Sequence, residues 1–269
     1  MKNKRSFIIN LAMYLMIFLL IFPLTVLLVW SFASNWPWPY IFPRDFSLRG
    51  IDYFLSPSSN SINILIFSVC MSLGVTILAL LVSIPAAKAL ALYNFKGKRL
   101  FGLMVLAPLI VPQISVAMGI HLVFIRLRLA NTCLGVMLVH LIPCVPYAIR
   151  ILTNVFEIIG ETMELQAKVL GANPIQIFFN ITLPLIAPGI ISAGSLVFIV
   201  SLSQYFITFL IGGGRIITFS MVMFPFIQSG DRMMASVYSL VFIITTLLLL
   251  FVIEKTVKAY YKQGNNFYM

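Results

Sequence analysis

The chain has 269 residues, of which 61% are hydrophobic and only 9% charged, and its formal net charge is +11. A soluble domain carries about 25% charged residues, so this composition excludes one and reads as an integral membrane protein. The basic excess is accounted for by orientation in the bilayer and contact with lipid headgroups, and no nucleic acid is needed to explain it.

Six charge-free hydrophobic stretches, at about 8–33, 61–87, 100–125, 129–149, 185–211 and 233–253, define the predicted elements. About 20 helical residues at 1.5 Å each cross a ~30 Å hydrocarbon core, so each stretch is long enough to span. Backbone groups in lipid must bond within the segment, and strict alternation is missing, so the spans are helices rather than barrel strands. The expected fold is all-α, a single transmembrane domain over 1–269 with six spans.

Six spans place both termini on one side. With the termini in the cytoplasm, twelve of the Lys and Arg residues fall inside and six outside, the outer ones being Arg44, Arg49, Arg126, Arg128, Arg215 and Arg232. The positive-inside rule therefore favours cytoplasmic termini. Lys2, Lys4 and Arg5 precede an apolar run about twice the length of a signal-peptide core, so the first stretch reads as an uncleaved span.

In chain order, the first span ends at Trp30 and is followed by Ser34-Asn35-Trp36-Pro37-Trp38-Pro39-Tyr40. Such rings sit at headgroup level, and the loop serves as an interfacial anchor or as a docking surface for an external receptor. The second span closes on the small residues Ser83 to Ala87, which permit close helix approach, with Lys88 next. Pro108 and Pro112 fall in the third span and Pro143 and Pro146 in the fourth. Prolines free backbone carbonyls, which suits a translocation path between these spans and equally suits packing kinks.

The spans also carry polar residues that should face the bundle or a partner subunit, namely Gln113, His121, His140, Ser201, Ser203 and Gln204. Of these, Gln113, His140, Ser201, Ser203 and Gln204 are candidates for the substrate path. His140, near mid-span, serves as a ligand or as an interhelical hydrogen-bonder. No span has a carboxylate at its centre, which weighs against a proton- or sodium-driven carrier. Gly212-Gly213-Gly214-Arg215 lacks the spacing of a phosphate loop and reads as an outer turn. Met221 to Phe226 is too short to span and reads as a re-entrant or surface helix. Cys70, Cys133 and Cys144 are scattered, with no metal or disulfide spacing.

Between the fourth and fifth spans, Glu161 to Pro188 mixes polar and apolar residues and predicts two short helices. Helix formers run from Glu161 to Leu170. Gly171 then supplies the left-handed conformation that ends a helix, Asn173 can cap the next, and Pro174 suits its first position. Ile175, Ile177, Phe178, Phe179 and Ile181 give the second helix more apolar surface than a soluble loop would carry, so something must cover it. Leu183-Pro184 closes the unit before the membrane is re-entered.

Gly171, followed thirteen residues later by the proline of Ile181-Thr182-Leu183-Pro184, resembles the coupling-loop motif of permease subunits in bacterial binding-protein-dependent ABC importers. That loop begins Glu-Ala-Ala in the family; here Leu165 stands at the glutamate position, Gln166 at the first alanine, Ala167 matches the second, and Glu164 is one place early. The resemblance implies a coupling helix within about 157–184, with Glu164, Leu165, Ala167, Gly171, Ala172, Pro174, Phe178, Phe179, Leu183 and Pro184 engaging a cytosolic ATPase dimer. It also implies a second permease subunit, more readily a different one than a copy, an extracytoplasmic solute-binding protein, and residence in the bacterial cytoplasmic membrane. The chain has no nucleotide site of its own, so no cofactor is expected on it, and ATP with Mg would be used by the partner. The segments Trp36 to Pro39, Ser47 to Arg49, Gly212 to Gly214, Met223 to Pro225 and Ser229-Gly230 resemble the polyamine-importing branch, whose relatives take ferric iron, thiamine or aminoalkylphosphonates. A carrier or channel that needs no ATPase is the competing expectation.

Overall fold

A computed structural model describes residues 2–37 and 39–262, with side chains described from Asn10 to Thr256 apart from Trp38. Trp38 and the tail beyond 262 therefore lie outside the described residues. The chain divides into two compact units, Met1–Asn63 with Val222–Thr245, and Ile64–Met221 with Thr246–Met269.

In the first unit α1 (Lys2–Trp30) is a long apolar helix that buries no residue between Asn10 and Trp30. Beyond it Ala33–Asn35 (β1) pairs antiparallel with Asp45–Phe46 (β2), a small ribbon that the all-helical expectation lacked. The first apolar stretch thus ends as helix at Trp30, not at residue 33. Trp36 turns back to stack on Trp30 at 4.7 Å, and its Nε1–H donates to the Tyr40 carbonyl at 2.8 Å. Helix α2 (Arg49–Leu55) follows, with Gly50 close against Val237 and Met233.

In the second unit α3 (Ser61–Leu92, whose first turn belongs to the first unit) packs with α6 (Cys133–Ile159) and α9 (Leu183–Leu202). Their core joins Val75, Ala79 and Ala87 to Cys144, Ala148, Leu152 and Phe156, and to Ile186, Ala193 and Val197. Small residues set the approach: a Cβ on Gly189 would meet Val155 Cγ2 at 2.8 Å. A second cluster joins Met71 to Ala117, Val136, Val139, Ile207 and Ile211. These come from α3, α5 (Gln113–Arg126), α6 and α10 (Phe206–Gly212).

Three expected spans differ from the helices observed. The 100–125 stretch is two helices, α4 (Lys98–Ile110) and α5, bent by 99°. Pro112 forces this by pushing Val111 to an extended ψ of 134°. The 129–149 stretch contains the N-terminal part of a longer helix, α6, which runs through Pro143 and Pro146 without a break and carries Arg150 and Glu157. The 185–211 stretch is α9 and α10, separated at Ser203 to Tyr205. Among the described residues, five helices are long and apolar enough to cross a membrane, and the count reaches six when the bent pair is one crossing. α11 (Phe219–Ser229) is the short apolar helix expected after the glycine turn, and α12 (Arg232–Lys262) is the last long one.

Candidate functional site

The hairpin between α6 and α9 is built by local chemistry. Its first helix is α7 (Thr162–Val169). Gly171 ends it at φ 86°, where its N–H reaches the Lys168 carbonyl and the Ala172 N–H reaches the Ala167 carbonyl, both at 3.1 Å. Asn173 then opens α8 (Pro174–Ile177): its Oδ1 accepts the Gln176 N–H at 2.8 Å, and Gln176 Oε1 accepts the Asn173 N–H at 3.0 Å. This reciprocal pair satisfies two donors that a helix start leaves orphaned.

The second helix does not close at Leu183-Pro184 as the sequence suggests. α8 passes through a π turn, Phe178–Thr182, directly into α9, so Pro174–Leu202 is one continuous helix of 29 residues. In the π turn the Leu183 N–H reaches back five residues to the Phe178 carbonyl. This wider ring precedes Pro184, whose side chain would otherwise crowd the carbonyl four residues back. Leu183 and Pro184 are consequently half-buried within a helix.

The hairpin has two faces. Ala167, Ile177 and Thr182 are buried on the inner one. On the outer one Val169 and Leu170 are each 87% exposed, Ile175 70% and Phe179 59%, while Leu165, 54% exposed, lines a cleft behind the hairpin. Phe178 is half-buried and lines the same cleft with Lys88, Tyr93, Glu164 and Thr182, so of the two phenylalanines only Phe179 faces outward. Glu164 also turns inward. Lys88 Nζ donates to its two oxygens at 2.8 and 2.6 Å, and Thr182 Oγ1 donates to Oε1 at 2.6 Å. Lys88 and Thr182 escaped the sequence reading because only the fold sets them beside a carboxylate 76 and 18 residues away.

Of the polar span residues, the structure gathers His140 and Ser201 and adds Thr208. His140 is fully buried, with Nδ1 3.0 Å from Ser201 Oγ and Nε2 2.9 Å from Thr208 Oγ1. Thr208 gives its one hydroxyl hydrogen to the Gln204 carbonyl at 2.8 Å. It therefore accepts from Nε2–H, and Nδ1 accepts from Ser201. The same carbonyl takes Ser220 Oγ at 2.9 Å, so the gap between α9 and α10 is held by side chains. Ser203 is exposed, and Gln204 joins through its backbone. Gln113 stands apart, exposed at the start of α5 beside Pro108 and Pro143, and His121 is half-buried further along that helix. His140→Leu strips Ser201 of its imidazole partner, and an expected loss of about 1–2 kcal/mol follows. Unfolding in detergent measures it, and a variant as stable as wild type would show that the pair holds nothing together.

Comparison with known proteins places these features. Residues 79–260, which include the hairpin, match the family model described as binding-protein-dependent transport system inner membrane component. The putrescine transport system permease protein of Escherichia coli is 30% identical over 161 residues, 58% of this chain and 57% of that protein. The trehalose transport system permease protein of Mycobacterium tuberculosis is 35% identical over 154 residues, 56% and 54% of the two chains. These alignments span little more than half the length of either relative. A putative 2-aminoethylphosphonate transport system permease protein of Salmonella paratyphi A is 26% identical over 250 residues, 92% of each. A chain in the crystal structure of a bacterial ABC transporter involved in the import of the acidic polysaccharide alginate shares the fold. Its TM-score is 0.66 at 20% identity, covering 95% of this chain and 98% of that one. With the family model matching well over half of its length, and with helices long enough to cross a bilayer, the chain belongs to the inner-membrane permease components of binding-protein-dependent ABC importers.

Proposed function

We propose that this chain forms the translocation path of an ATP-driven importer and that its α7–α8 hairpin is the handle by which a cytosolic ATPase dimer moves it. The carrying observation is the outer face of the hairpin. Val169, Leu170, Ile175 and Phe179 are exposed there on a turn braced from behind by Glu164, Lys88 and Thr182. Apolar side chains standing clear of the bundle on a charged, capped turn suit insertion into a groove of a soluble partner. Leu165, Ala172 and Pro174 line the cleft behind that surface, and Ala167 and Phe178 support it.

In this reading both termini and the hairpin are cytoplasmic, in keeping with the Lys and Arg distribution. A second, different permease subunit completes the path, and an extracytoplasmic receptor delivers the solute. ATP and Mg belong to the ATPase; this chain holds neither. Closure of the ATPases displaces the hairpin and rocks the helices between inward- and outward-facing states. The solute is small, and a polyamine is the first candidate because of the segments noted above and the putrescine relative. In the same reading the solute passes Gln113, His140, Ser201, Ser203 and Gln204, of which His140 and Ser201 share a hydrogen bond.

Reconstitution tests the reading. Vesicles holding this chain, its partner permease and ATPase should accumulate radiolabelled putrescine only with ATP and the receptor; uptake by this chain alone would replace the reading with that of a secondary carrier or channel. Within the hairpin, a Cβ at Gly171 meets open space beyond its chain neighbours, so Gly171→Val acts chiefly on the backbone. The left-handed conformation costs it about 1–2 kcal/mol. Membrane levels should stay normal while receptor-stimulated ATP hydrolysis falls. Unchanged stimulation in that variant would separate the turn from coupling.

A further inference from the structure

The hairpin joins the bundle differently at its two ends, through the break at Gly160 on one side and through the continuous helix Pro174–Leu202 on the other. α6 ends at Gly160, which takes φ 68°, and α7 begins two residues later at Thr162. At its other end α7 turns through Gly171 into α8. α3 has no chain connection to the hairpin within 60 residues, yet its Lys88 reaches across to Glu164. Thr182, in the π turn that leads into α9, grips the same carboxylate. One side chain therefore touches the second span, the hairpin's first helix and the root of the fifth span.

The environment gives that contact strength. The Lys88 and Glu164 side chains are only 24% and 20% exposed, so salt screens the pair less than a surface pair. Both carboxylate oxygens are engaged, and Oε1 takes two donors. Leu165, the next residue, is 54% exposed and lines the same cleft without a polar contact of its own side chain to offer.

We infer that Glu164 is a positioning residue whose carboxylate, held by Lys88 and Thr182, latches α7 to the second span and to the root of the fifth, so that the second span moves with the hairpin when it is displaced. This rests on the hairpin being the ATPase's handle. Ion pairs are suited to such a task because they fix geometry between elements that share little apolar contact, whatever their net contribution to folding.

The experiment uses the complete importer, with its ATPase, partner permease and receptor, in proteoliposomes. Glu164→Gln keeps the size of the side chain and an acceptor for Thr182 but loses the ionic grip. Lys88→Met removes the other half. Each should bind the ATPase within about twofold of wild type while receptor-stimulated ATP hydrolysis drops about tenfold, in the range of ordinary coupling energies. The reversed pair, Lys88→Glu with Glu164→Lys, should recover at least half of the stimulation. The neutral pair, Lys88→Met with Glu164→Gln, leaves no buried lone charge and should insert normally yet remain uncoupled. Stimulation within twofold of wild type in the singles, or in the neutral pair, overturns the latch, as does a reversed pair no better than the singles. Failure of the wild-type hairpin to bind any ATPase defeats the parent proposal instead, and the two failures are told apart by the binding measurement.

Discussion

Phe179→Asp should abolish capture of the ATPase while leaving membrane insertion intact. Phe179 is 59% exposed on the outer face and stands edge-on to Phe178 at 5.2 Å between ring centroids. Covering a side chain of this size is worth about 1.5–3 kcal/mol, and placing an unpaired carboxylate in the same groove costs several more. The combined effect on affinity is expected to exceed about a hundredfold. The aspartate points to solvent when no partner is bound, so the isolated chain should be no less stable. Pull-down of the ATPase by the tagged variant, alongside its level in the membrane, provides the measurement. Phe178→Asp is the informative contrast. Its ring lines the cleft with Glu164, so a carboxylate there faces another carboxylate and should damage the hairpin as well as the capture. Normal capture by Phe179→Asp would move the ATPase contact elsewhere.

Gly135→Ala should be the most damaging single methyl in the second unit. Gly135 lies in the first turn of α6, where its N–H donates to the Thr132 hydroxyl at 3.0 Å and that hydroxyl donates to the Leu129 carbonyl at 2.7 Å. A Cβ at Gly135 would land on that same carbonyl oxygen. The loop has little room to retreat, because the Leu129 N–H is tied to the Phe124 carbonyl and the Asn131 N–H to the Ile211 carbonyl, both at 2.8 Å. Overpacking of this kind costs about 1–3 kcal/mol, and displacing the cap adds about 1 more. Melting in detergent should fall by several degrees, whereas Gly102→Ala, with open space around its Cβ, should leave it unchanged or raise it slightly. Equal melting of the two variants would mean that the loop yields freely.

The parts of the fold that were legible in the sequence are those set by neighbours along the chain. Gly171, Asn173 and Pro174 specify a stop and a start within four residues, and the turn they form has the backbone those residues demand. The break at Val111 was half-legible. Pro112 was visible, but prolines inside spans often only kink them, and Pro143 and Pro146 do not interrupt α6 at all. The separation of α9 from α10 left no local sign, since neither glycine nor proline occurs from Leu202 to Thr208. Ser220, sixteen residues on, donates to the Gln204 carbonyl there, a contact invisible in linear order.

The candidate site divides in the same way. Apolar residues on a polar segment announced that the hairpin carries a surface needing cover, and the exposed Ile175 and Phe179 lie on it. Which residues turn outward was not readable, because successive helical residues lie about 100° apart and only the packing of the hairpin against the bundle decides which of Phe178 and Phe179 is covered. Glu164 was noticed for standing one place early, and only the fold reveals the lysine that claims it.

Under the proposed coupling role, the unbroken course from Pro174 to Leu202 would act as a lever. Its 29 residues extend about 43 Å at 1.5 Å each. Pivoted near one end, a tilt of about ten degrees sweeps the other through roughly 7 Å, more than one helical pitch of 5.4 Å. A partner pushing on Ile175 and Phe179 could thereby shift the neighbourhood of Ser201, at the opposite tip, without bending any segment between.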